Sequence, residues 1–113
     1  MNIFEEEQDI AVLGYVEFFN VPDSTQQQSI PVTIKGVFGE SEAFRFDRIN
    51  WSRTDSLILV AVWGRQIYKT GVSYPVRHVG FDTTITVTST RRGFHFVDIR
   101  AAQGTLRDST TVY

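Results

Sequence analysis

The sequence predicts an all-β domain, a small antiparallel β-sandwich or barrel of about seven to eight short strands. Three observations lead there. Apolar and polar residues alternate with period two from Ile10 onward. Turn signals recur every eight to twelve residues or so. No stretch repeats with the helical period of 3.6. With 113 residues the chain has the length of a single domain, read as 1–113, with an arm over 1–9 and a terminal strand or tail over 110–113.

Taken in order, only Met1 to Asp9 has room for a helical turn. Ile10 to Phe19 reads as a long first strand, with Gly14 as a bulge or a close approach. Asn20 to Ser29 is a polar connection headed by Pro22-Asp23. Ile30 to Phe38 makes the next strand, with Val32 and Ile34 on one face. Gly39 to Glu42 turns into a short strand, Ala43 to Asp47. Leu57 to Trp63 is aliphatic enough to be central, and Gly64-Arg65 reads as a turn into Gln66 to Thr70.

Gly71 to Gly80 is loop or edge. Phe81 to Thr90 shows the clearest alternation, with Phe81, Thr83, Ile85, Val87 and Ser89 on a core face and threonines on the other. Arg91-Arg92-Gly93 reads as the turn of a hairpin whose return strand is Phe94 to Arg100. Within it Phe94 and Phe96 oppose Val97 and Ile99, which calls for a bulge or for burial on both faces. Ser109 to Tyr113 makes a last short strand. The residues expected in the core are Ile34, Leu57, Leu59, Ile85 and Val87.

Composition narrows the chemistry. Cysteine is absent, which removes disulfides, thiolate metal sites and cysteine nucleophiles. A formal charge of −2 lacks the footprint of a phosphate-backbone binder, so no nucleic-acid partner is expected. No apolar run approaches the ~20 residues needed to span a bilayer as a helix, and the acidic start is unlike a secretory leader. His78 and His95 are not spaced as zinc ligands, and no phosphate-binding glycine loop or nucleophile elbow occurs. His95, set opposite Phe94 and Phe96, is expected at the surface or between subunits. No catalytic residue, metal or cofactor is therefore assigned, and the chain is read as a non-enzyme.

Two sets of residues remain as candidates. Ile3 and Phe4 put apolar side chains on an acidic segment, Tyr113 ends a strand-like one, and Arg91 and Arg92 sit at a turn. These five are candidate partner contacts, since aromatics and arginine are enriched at interfaces. Trp51, Trp63, Tyr68 and Tyr74 are the material for a stacking platform, the mark of a ligand- or carbohydrate-binding module. The arginine-rich basic set, nine Arg against Lys35 and Lys69, suits forked ion pairs between subunits. A small, cysteine-free, all-β chain rich in Thr and Phe is similar in style to small structural proteins of phage heads and tails. The leading expectation is thus a structural subunit of a virion, first as a capsid decoration protein, then as a head–tail connector or tail component. Its partners would be protein subunits, its own copies included, and its place the virion, or the cell interior if not viral.

Overall fold

The structure of the chain, a computed structural model, describes residues 7–26 and 29–113. Nine strands form among these residues: β1 (Glu7–Leu13), β2 (Tyr15–Asn20), β3 (Ser24–Thr25), β4 (Ile30–Gly39), β5 (Phe44–Thr54), β6 (Leu57–Lys69), β7 (Val79–Val87), β8 (Gly93–Ala101) and β9 (Gly104–Val112). They make two sheets, so the fold is all-β and sandwich-like, with nine strands rather than seven or eight. The smaller sheet, β2-β4-β7, is antiparallel. The larger is mixed, because β6 and β8 run parallel, as do β3 and β9.

β6 organises the larger sheet. Along one edge it pairs with β5 from Leu57 to Gln66. Along the other it pairs with β8 from Leu57 to Ala61, and then with β1 from Trp63 to Lys69. The change of neighbour occurs at Gly14, whose N–H donates to Val62 O at 3.0 Å while its carbonyl accepts from Ala102 N–H at 2.9 Å.

The core lies between the sheets. β-Branched residues on alternate positions supply most of it: Ile58, Val60 and Val62 from β6, Val97 and Ile99 from β8, and Ile30, Val32 and Ile34 from β4. Such side chains fit a pleated surface because their restricted χ1 matches it, and each contributes roughly 1.5–3 kcal/mol when fully buried. Ile34 and Val87 are buried as expected, and Phe81 to Ser89 holds the expected alternation.

Elsewhere the phase or the pairing differs from the sequence reading. Leu59 is 46% exposed and Leu57 only partly buried, because β6 turns Ile58, Val60 and Val62 inward. Ile85 is partly buried and packs against the core. In β8 it is His95, Val97, Ile99 and Ala101 that face in, without a bulge, so Phe94 and Phe96 are exposed and His95 is fully buried. β7 and β8 do not form a hairpin: they belong to different sheets, and residues 88–92 cross between layers.

Two glycines account for further departures. A side chain at Gly14 would meet the Phe81 ring at 2.5 Å, so the chain passes close beneath that ring and changes sheet, dividing the expected first strand into β1 and β2. At Gly64 a Cβ would lie 2.6 Å from Phe38 and 2.7 Å from the Arg45 carbonyl. The glycine admits the Phe38 ring onto a continuous strand and makes no turn. β5 also runs well past its expected end, to Thr54.

Candidate functional site

The inward phase of β6 and β8 fixes what the larger sheet shows to solvent. Cross-strand partners share a face, so Leu57, Leu59, Ala61 and Trp63 lie on the outer side with Phe94, Phe96, Asp98 and Arg100 of β8 and Arg107 of β9. No second layer covers this face among the described residues. Phe94 is 54% exposed and meets Phe96 edge to face, with ring centroids 4.9 Å apart.

Arginines hold the aromatic rings in place. The guanidinium groups of Arg48 and Arg100 lie 5.8 and 5.7 Å from the Trp63 ring centroid. Arg107 lies 4.2 Å from the centre of Phe96 and forks onto Asp98, with N–H bonds of 2.7 and 3.0 Å to its two carboxylate oxygens. That bond to Asp98 raises the Arg107 pKa above its already high value, so the group stays charged. Arg107 is thereby neutralised, and Arg48 is paired with the Asp47 carboxylate, whereas Arg100 leaves positive charge beside Trp63. Beside Arg100 is an open depression of about 330 Å³ lined by Asn50, Trp51, Ser52, Leu59, Trp63 and Arg100.

The sequence candidates distribute unevenly over the molecule. Trp51 and Trp63 both line this depression. Tyr68 and Tyr74 stand apart from it and pair with each other at 5.8 Å, the Tyr74 hydroxyl accepting from Lys69 N–H. The four rings therefore do not form one platform. Arg91 and Arg92 are exposed in the inter-sheet crossing, and Arg91 reaches Asp55 at 3.4 Å. Tyr113 is exposed, but its backbone N–H donates to Thr25 O, which ties the end of β9 to β3 of the same chain. Ile3 and Phe4 lie outside the described residues. Leu59, Phe94, Phe96, Arg48, Arg100 and Arg107 were missed as site residues. Their signal is the second apolar phase, in Leu57-Leu59-Trp63 and Phe94-Phe96, which alternation alone cannot assign to solvent or core.

Ser89 and His95 form a pair with the look of a catalytic dyad. His95 Nδ1 lies 3.0 Å from Gly93 O and so carries the proton, leaving Nε2 to accept from the Ser89 hydroxyl at 2.9 Å. Ser89 also accepts from Arg91 N–H. Both side chains are buried, His95 completely, so no substrate reaches them. The pair braces the crossing between sheets. Among the described residues no group of three or more His, Cys, Asp or Glu is placed to hold a metal ion, and no helix is long and apolar enough to cross a membrane. No protein-family model matches the chain, and searches of curated proteins and of solved structures find no match to it.

Proposed function

We propose that this chain is a non-enzymatic interaction subunit that holds a protein partner on the outer face of its larger sheet. The observation that carries the reading is the exposed set Leu59, Phe94 and Phe96, continued by the half-buried Trp63 with Arg48 and Arg100 against its ring. Aromatic and arginine side chains are enriched in protein interfaces, and fixed aromatic anchors lose little entropy on binding. The Arg100 guanidinium beside Trp63, which has no carboxylate partner among the described residues, selects a partner surface that is apolar with an acidic rim. The setting proposed is an assembly such as a virion, with capsid decoration ahead of a connector or tail role, and an intracellular complex otherwise. Neither nucleic acid nor membrane is part of the proposal.

The test is parallel affinity capture from source extract or purified particles, using wild type, Leu59→Ser and Arg100→Glu. All three should show the same circular dichroism, and both variants should retain at least tenfold less of whatever wild type retains. Equal retention by all three would remove the outer face from consideration.

The depression beside Trp63 supports a second reading, a small-ligand or carbohydrate module, since about 330 Å³ lies at the small end of ligand sites. Saturable shifts of the Trp63 indole resonance with a small anionic or sugar ligand, absent in Arg100→Glu for the anion, would favour it.

A further inference from the structure

We infer that two copies of this chain join edge to edge through β1, forming one sheet across a two-fold axis at Ile10. This rests on the proposed assembly role and names one of its partners as a second copy.

The backbone geometry defines a free edge. Even-numbered positions of β6 and the residue before it turn their backbone groups toward β8 and β1: Ser56 O accepts from Phe96 N–H, and Val62 O accepts from Gly14 N–H. On the opposite edge Ile67 N–H donates to Ala43 O. Gln66, Gly64 and Tyr68 therefore bond with Ile10, Val12 and Gln8 of β1, their register partners. The backbone groups of Glu7, Asp9, Ala11 and Leu13 point away from β6, where no strand pairs with them among the described residues. The free edge ends at Gly14, whose carbonyl is occupied by Ala102.

This edge lacks the features that blunt the others. β5 and β2 each break register, between Phe46 and Arg48 and between Val16 and Phe18. β7 carries no bulge of its own, the irregularity in its ladder lying between Val37 and Gly39 of β4, but its alternate face is Gly80, Asp82, Thr84 and Thr86 and its apolar side chains already pack inward, so pairing there would cover little apolar surface. β1 pairs without interruption, contains neither Pro nor Lys, and leaves Ile10 49% exposed. A long regular edge of this kind is a template for another strand.

The sequence of β1 is complementary to itself in one antiparallel register. With Ile10 opposite Ile10 of the second copy, Asp9 faces Ala11, Glu7 faces Leu13 and Gln8 faces Val12. The outward groups then meet as hydrogen-bonded pairs, giving roughly eight backbone bonds across the axis. No two carboxylates are directly opposed, and Asp9 is already paired with Arg65 at 2.7 Å. Centring the axis on Asp9 would oppose two aspartates, which is unfavourable. Centring it on Ala11 would carry Glu7 past Gly14 to the level of residue 15, beyond the free edge. A two-fold contact at Ile10 is isologous and closes, so it produces a dimer and not a filament.

Two variants and a mass measurement test this. Wild type should sediment at twice the 12.9 kDa chain mass. Ala11→Pro removes an outward N–H and no bond to β6, so it should keep the β-sheet circular dichroism and raise the dimer dissociation constant at least tenfold. In this cysteine-free chain Ile10→Cys places thiols on the axis, at a non-hydrogen-bonded pair with Cα atoms about 4.5 Å apart, within disulfide range. Mild oxidation should link Ile10→Cys into a dimer and leave Gln8→Cys unlinked. A monomeric wild type, an unaffected Ala11→Pro dimer, or equal linking of both cysteine variants would each overturn the inference. The outer-face variants score separately: a monomer whose partner capture still depends on Leu59 and Arg100 fails here alone, and a β1 dimer whose capture ignores them fails the proposed function alone.

Discussion

Ile58 and Leu59 are adjacent aliphatics in one strand, yet one is fully buried and the other 46% exposed. Truncating Ile58 to Ala should cost about 2–5 kcal/mol, since it removes methyl groups from a packed interior and leaves a cavity. Leu59→Ala should cost less than about 1 kcal/mol, as exposed substitutions do. Denaturant melts of the two variants check the phase directly, and a larger loss at Leu59 would reverse it. From sequence Leu59 is expected in the core, and the reason the structure differs is physical. Leu57 to Trp63 is apolar at every position, so alternation carries no phase there; only the β-branched character of Ile58, Val60 and Val62 marks the inner face. The same ambiguity hid Phe94 and Phe96, whose size suggested core while His95 between them took the buried position. Where polar residues mark every second position, as from Phe81 to Ser89, the faces were legible without ambiguity.

At the scale of elements, strand existence was readable and strand partnership was not. The strand from Ile30 and that from Phe81 are where alternation puts them, but nothing local to Gly14 announces that β1 and β2 enter different sheets. That break depends on Phe81, far along the chain, filling the space above the glycine. The crossing at 88–92 reads from sequence as a hairpin turn because Arg91-Arg92-Gly93 has suitable turn chemistry for either. β1 itself is held by its ladder to β6 and by the ion pair of Asp9 with Arg65, and this pair gives the arm a pH dependence. The Arg65 hydrogen bond holds the Asp9 carboxyl below its ordinary value, and Arg65 stays charged throughout. A depressed folded-state pKa contributes attachment that is fully present above the unfolded value, about 4 for aspartate, and is lost as pH falls through the lower folded value. Amide resonances of Glu7 to Leu13 should therefore move toward detached positions below about pH 4 in wild type. Asp9→Asn should show looser attachment at neutral pH and no acid step at this site. An identical acid profile in both proteins would mean that the ion pair does not hold the arm.

The whole molecule is long for its size, 63 × 25 × 20 Å with a radius of gyration of 17.3 Å, against about 13 Å for a compact domain of this length. The excess length accompanies the half of β6 beyond Gly64, where β1 and the first residues of β5 are the flanking strands and side chains such as Ile10 and Tyr68 remain exposed. The sandwich proper encloses Ile58, Val60, Val62, Val97 and Ile99 between two layers. A strand ribbon with little apolar cover is only marginally stable alone, so stability should fall along the long axis. Native-state hydrogen exchange should find the slowest amides at Val60, Val62, Val97 and Ile99, opening only with global unfolding. Bonded amides of the distal ribbon, Ile10, Gln66 and Tyr68, should exchange at least about a hundredfold faster through local opening in a dilute sample. Pairing through β1 adds a second effect, because association stabilises the bound form by mass action. Raising the protein concentration should slow exchange at Asp9 and Ala11, whose N–H groups face the free edge, and at Ile10 beside them, while leaving Val97 and Ile99 unchanged. Protection at Asp9 and Ala11 that is the same at all concentrations would detach the elongated shape from self-association. Uniform protection from Ile10 to Ile99 would show that the ribbon and the sandwich open as one unit.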